Sequence, residues 1–272
     1  MSRPTPRSLI GGLLLAALAA FATPARAEVQ PKVRAVAGGP PASAIFIGNS
    51  FFYYNNGIHN QVRRLILSAE AGAKFRATMA TISGSGIDWH DVDSYFRPNA
   101  IGRYSFNEAN AVVFNKINRL FDAAIIMDCS QCPIHPDLSP VFWEFAARNI
   151  ATIRKHGAQP VMFMSWAYAD KPEMTAQLAD AYTRVANQHD AIVIPAGLAF
   201  ARAIAKHPTL KLYDVDKRHP SPAGTYLAAA TTYAVLTGKS PVGLKYTASL
   251  DAATASILQE AAWETVRSYH AP

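Results

Sequence analysis

Three short blocks of this 272-residue chain carry the side chains from which a nucleophilic site is built. Gly48-Asn49-Ser50 offers a serine hydroxyl directly after an apolar run. Asp216-Lys217-Arg218-His219 places a carboxylate three residues before an imidazole. Ser83-Gly84-Ser85-Gly86 offers a glycine-bearing turn between them. A serine hydroxyl becomes a nucleophile only when a base removes its proton and donors hold the developing oxyanion. Ser50 supplies the hydroxyl in this reading and His219 the base. Asp216 holds the other ring nitrogen, and the backbone amides of Ser50 and Gly84 are two oxyanion donors. Each block alone is common; their order along the chain makes the combination specific.

A scaffold must bring the blocks together, and the hydrophobic pattern suggests which. Short runs that are apolar throughout read as buried strands: Ser43–Gly48, Phe75–Ile82, Asp122–Asp128, Gln159–Trp166 and Ala191–Pro195. Between and after them, amphipathic stretches read as helices at Asn56–Ala71, Ala111–Leu120, Ser139–His156, Lys171–His189 and Gly197–Lys206. Two more helices follow, Pro222–Leu236 and Asp251–Tyr269. Apolar strands alternating with helices predict a three-layer α/β/α sandwich with a mainly parallel sheet. In such folds the ligand crevice lies beyond the carboxyl ends of the strands, where Ser50, Gly84 and the Cys129–Cys132 segment fall.

Residues 1–27 read as a secretory signal peptide. Arg3 and Arg7 precede a charge-free apolar stretch, Leu9–Phe21, and Ala25-Arg26-Ala27 offers small residues for cleavage. That stretch is short of the roughly 20 residues of a membrane span, so cleavage and export, to the periplasm or beyond, are expected without stable membrane insertion. Residues 28–42 read as a linker with Pro31, Gly38, Gly39, Pro40 and Pro41, and residues 43–272 as one domain. The formal charge of +7 invites a polyanion partner. Three of the arginines, however, belong to the leader, and the remainder shows no nucleic-acid motif. Half the residues are hydrophobic, which excludes a disordered or fibrous chain.

Ile45-Phe-Ile-Gly-Asn-Ser-Phe51 and the closing block, with Leu212-Tyr213, Asp216, His219-Pro220-Ser221 and Gly224-Thr225-Tyr226-Leu227, resemble the SGNH (GDSL-type) hydrolases. The match is to a variant subgroup in which Gly-Asn-Ser replaces Gly-Asp-Ser. Trp166 and Ile194-Pro-Ala-Gly197 are also similar, and the resemblance spans roughly Ser43–Gly238. It implies a flavodoxin-like α/β fold and an exported serine esterase that uses no metal or organic cofactor. It implies carboxylic ester substrates, with acetyl groups on carbohydrates or short acyl chains leading. The departure is in the third block. The family has an asparagine there, whereas this chain has Asp128-Cys-Ser-Gln-Cys-Pro133, so Gln131 is expected as third oxyanion donor, with Ser130 the other candidate. The same departure leaves a second reading, an inactive module of this fold that binds cell-envelope glycans.

Cys129 and Cys132 are the only cysteines. In an oxidising compartment a structural disulfide is the leading expectation, two free thiols are the alternative, and a thiol–disulfide catalyst is a more distant reading. Two cysteines alone are too few for structural zinc, and no metal site is expected. His59, His90 and His135 are further candidates to line the crevice. The oligomeric state has no sequence signal.

Overall fold

The computed structural model describes Met1, residues 29–117 and residues 119–272. The segment read as a signal peptide lies outside the described residues, apart from Met1.

Five strands form the central sheet: β1 (Ser43–Gly48), β2 (Arg76–Thr81), β5 (Ala123–Ile126), β6 (Gln159–Phe163) and β7 (Ile192–Ile194). Their order is β2-β1-β5-β6-β7 and every pairing is parallel. The three central strands are buried almost throughout, which explains why they read as continuous apolar runs instead of alternating ones. Register follows from pairs such as Ile47↔Ala80 and Ile47↔Ile126, which bring the carboxyl ends of β2, β1 and β5 level.

Helices cover both faces. The β1-to-β2 crossover runs through α2 (Ile58–Ala69), in the opposite direction along the sheet from those through α4 (Ser139–Lys155) and α5 (Met174–Gln188). Right-handed crossovers therefore put α2 on one face and α4 with α5 on the other. After β7 come α6 (Ala196–Lys206), α7 (Pro222–Thr237) and α8 (Ala252–Tyr269). The α7 helix lies between α2, α6 and α8, and is apolar around its whole circumference because it has neighbours all round. Ser221 caps its first turn by accepting from the Gly224 amide, and Gly238 closes it in the left-handed conformation. The expected α/β/α sandwich is the observed architecture.

One predicted helix is replaced. The described residues among 111–120 do not form it; Val112–Phe114 is instead strand β4, paired antiparallel with β3 (Tyr104–Phe106). Two β-branched residues and an aromatic favour the extended chain. The turn is built by Asn107, whose side chain accepts from the Ala109 and Ala111 amides, and by Asn110 at φ 58°. Two short helices, α1 (Ser50–Tyr53) and α3 (Val92–Tyr95), complete the chain.

The segment read as a linker is tied to the β7 side of the sheet. Val33 bridges Ile192 in parallel, the Lys32 amide donates to Asn187 Oδ1, and the Ala37 amide donates to Gln159 Oε1. The bridge blunts what is otherwise an open sheet edge.

Candidate active site

The Ser50 and Gly84 blocks leave the sheet at the same end, after β1 and β2, and the His219 block, in the loop between α6 and α7, meets them in one cleft. Ser50 begins α1 immediately after β1, and Asn49 caps that helix by accepting from the Phe51 amide. The Asn49 amide nitrogen donates to the carbonyls of Ser85 and Asp128, so one buried side chain ties the ends of β1, β2 and β5 together. Gly84, in the turn after β2, sits at φ +71° with open space where a Cβ would be; conformation, not crowding, favours glycine there.

The loop carrying His219 is fixed from several directions. Its strand-like flanks pair through Tyr213 and Pro220, with the Asp214 amide donating to the His219 carbonyl. Asn55, just past α1, donates to the Pro220 carbonyl and to Thr225 Oγ1. Trp166 is fully buried between two stacked rings, Phe51 at 4.7 Å and Phe200 at 4.4 Å, and its indole donates to the Arg218 carbonyl. At Gly224 any Cβ would lie 2.2 Å from the Leu212 carbonyl oxygen, so only glycine lets α7 approach this loop.

The result is a proton-transfer chain. His219 Nε2 lies 2.8 Å from Ser50 Oγ. His219 Nδ1 is hydrogen-bonded to Asp216 Oδ2, and Asp216 Oδ1 accepts from the Arg218 and His219 amides. Burial alone would raise the Asp216 pKa, but the His219 ring and the two amides outweigh it and hold the carboxyl at about 2. Tyr54 stacks on the imidazole at 4.2 Å, and Phe51 meets it edge-on at 5.5 Å.

Ser50, Gly84, Gln131, His135, Arg218 and His219 all line one cleft of about 400 Å³. Within the third loop, Ser130 Oγ is hydrogen-bonded to Tyr168 OH at 2.6 Å, whereas the Gln131 side chain has no partner among the described residues. Cys129 and Cys132 are joined in a disulfide that closes this loop. Together with Asp128 they form the single cluster of three potential metal ligands among the described residues, but disulfide sulfurs are not thiolate ligands.

Two of the histidines considered for the crevice lie elsewhere. His90 is buried, with Nε2 against the Gly48 carbonyl at 3.0 Å and Ser85 Oγ at 3.1 Å; it braces the β1 end from behind. His59 packs near Phe46, and neither histidine lines the cleft. Sequence reasoning left Asn55 and the Tyr54 clamp without roles. The Asn55-Asn56-Gly57 run was their one local signal, since all three residues have positive φ.

Comparison with solved structures agrees with this topology. A DUF4886 family protein from Bacteroides uniformis superposes with a TM-score of 0.57 at 18% identity, covering 82% of this chain and 94% of its own. An acetylxylan esterase from Geobacillus stearothermophilus superposes at 0.53, with 13% identity and coverage of 77% and 99%. The chain has the SGNH-hydrolase fold. A protein assigned to the SGNH hydrolases in Slackia heliotrinireducens adds a third match, with a TM-score of 0.52, 21% identity and coverage of 71% and 98%. No family model and no curated protein matches the sequence. In this SGNH-fold chain Ser50, Gly84 and His219 line one cleft, and no described helix is long and apolar enough to cross a membrane.

Proposed function

We propose that the chain is an exported serine esterase that hydrolyses carboxylic esters of small molecules or glycans, with short acyl or acetyl groups preferred. The observation that carries this reading is the 2.8 Å approach of His219 Nε2 to Ser50 Oγ, with Asp216 on the opposite ring nitrogen. The acetylxylan esterase among the structural matches supports an ester as the substrate class.

In the first half-reaction Ser50 Oγ attacks the ester carbonyl as His219 Nε2 takes its proton. Asp216, ionised at any pH above about 2, keeps the remaining ring proton on Nδ1 and stabilises the imidazolium. The amides of Ser50 and Gly84 receive the oxyanion, and the unpartnered Gln131 amide is the third donor. His219 then protonates the departing alcohol. In the second half-reaction His219 deprotonates water, which attacks the acyl-enzyme and releases acid and free Ser50. Acyl transfer of this kind requires no metal or organic cofactor.

Turnover of a short-chain 4-nitrophenyl ester by purified protein, compared with its Ser50→Ala variant, tests the reading. Loss of turnover to the uncatalysed rate is expected in the variant. Equal turnover by both proteins contradicts the nucleophile assignment. No turnover by the unaltered protein supports the glycan-binding module instead. Retention of the mature chain in the periplasm or medium, with cleavage near Ala27, tests export.

A further inference from the structure

The cleft beside Ser50 has an uneven charge. No carboxylate is among its lining residues, while Arg218 and His135 both line it. The nearest acid in sequence, Asp216, directs one oxygen to two amides and the other to the His219 ring. Some arginines of this chain face acids, as Arg97 faces Asp91 and Asp93 and Arg202 faces Glu264, and others, such as Arg64 and Arg148, lie over aromatic rings without an ion pair among the described residues; what sets Arg218 apart is that it lines the cleft of Ser50. The Arg218 guanidinium has no hydrogen bond to an acceptor and no ion pair among the described residues.

It is nevertheless held in place. The guanidinium carbon lies 4.9 Å from the centroid of the Tyr168 ring. Tyr168 is itself buried and fixed through its hydroxyl to Ser130, on the disulfide-closed loop. The Arg218 backbone is anchored at both ends, its amide on Asp216 Oδ1 and its carbonyl on the Trp166 indole. A planar cation stacked on an aromatic face keeps its N–H edge free and loses little further freedom on meeting an anion. A pre-oriented fork of this kind matches a carboxylate in two-point geometry.

We propose that Arg218 is the anion-binding residue of the cleft, and that the preferred esters carry a carboxylate close to the scissile bond. This rests on the serine-esterase reading and extends it to a substrate class. The carboxylate belongs either to the acyl part or to the alcohol. Both place a negative charge within reach of the same guanidinium.

Two ester pairs matched in shape and differing in charge separate the sources. 4-Acetoxybenzoate against its methyl ester places the charge on the alcohol. 4-Nitrophenyl hemisuccinate against 4-nitrophenyl butyrate places it on the acyl group. Each rate is corrected for that ester's spontaneous hydrolysis in the same buffer, which for the hemisuccinate includes attack by its own carboxylate. In one pair the charged member is expected to have a kcat/KM about tenfold higher than its neutral partner. Arg218→Gln removes that ratio, chiefly through KM, Arg218→Lys restores part of it, and high salt lowers it. A ratio near one in both pairs overturns the proposal, as does an Arg218→Gln variant that lowers charged and neutral esters equally. Calorimetric binding of 4-hydroxybenzoate and succinate to the Ser50→Ala protein gives a readout independent of turnover. Absence of binding by both overturns the anion site even if neutral esters are hydrolysed. Binding that Arg218→Gln abolishes upholds the anion site even if no ester is turned over, in which case the esterase reading alone fails.

Discussion

The Tyr54 ring lies parallel to the His219 imidazole, with centroids 4.2 Å apart and planes inclined by 11°. The contact joins the helix that carries Ser50 to the loop that carries the base, and it fixes the imidazole plane in which Nε2 meets Ser50 Oγ. Stacked aromatic pairs contribute about 0.5–1.5 kcal/mol beyond burial. Tyr54→Ala is therefore expected to lower kcat by about 3- to 10-fold, while Tyr54→Phe stays close to the unaltered protein. Steady-state kinetics on a short-chain ester reads both; an unaffected Tyr54→Ala shows that the ring is not needed for alignment.

Gln131 is the one amide side chain of the third loop that faces the cleft without an internal partner, while Ser130 is engaged by Tyr168. Removing an oxyanion donor costs about 10²–10³ in kcat where it has been measured best. Gln131→Ala is expected to approach that loss with KM little changed, and Ser130→Ala to lose far less. Equal, small effects from both variants would remove Gln131 from the oxyanion site.

Asn55 bridges from the end of α1 to Pro220 and Thr225, and it adopts φ 51°. Asn55→Ala removes two hydrogen bonds and places alanine in the left-handed region, a combined loss of about 2–4 kcal/mol. Urea denaturation is expected to show a lower midpoint at unchanged slope. A midpoint within error of the unaltered protein contradicts the tethering role.

Asp128 is buried below the disulfide loop, accepting from the Ile87 and Cys129 amides. Burial raises its carboxyl to about 6, with Asp88 adding to the rise and the two amides opposing it. In the folded chain this group holds its proton to higher pH than in the unfolded chain, whose ordinary value is 3.8. Its contribution therefore favours folding below that value and declines as pH rises through about 6, by on the order of 3 kcal/mol in full. Asp128→Asn keeps an oxygen for both amides and is expected to remove this decline. Thermal midpoints of the two proteins from pH 4 to pH 8 check the sign: the variant gains relative to the parent as pH rises. A constant difference across the range contradicts it.

The five sheet strands and the large helices were legible because burial on both faces writes itself into the chain as short apolar runs, and Ser43–Gly48 and Ala123–Ile126 are buried throughout. The Ser50 and Gly84 blocks were legible because the crevice rule points to the residues just after parallel strands, and the His219 block because Asp216 stands three residues before it. The hairpin at Tyr104–Phe114 was not. Its apolar residues are exposed, so no core imposes a period on them, and its turn depends on the side-chain bonds of Asn107. The tethers at Asn55 and Tyr54 link segments over a hundred residues apart and that at Trp166 spans 52 residues, which local pattern does not encode. His90 illustrates the converse: a polar residue near the crevice by sequence, turned inward and hydrogen-bonded there to the Gly48 carbonyl, Ser85 Oγ and the Tyr95 hydroxyl.

Covalent labelling with a fluorophosphonate, followed by peptide mapping, tests the central claim most directly, because only an activated serine reacts. The account predicts a single adduct on Ser50, with labelling suppressed in His219→Ala although that variant remains folded. A folded protein that takes up no label, or carries it on a serine other than Ser50, would contradict the account.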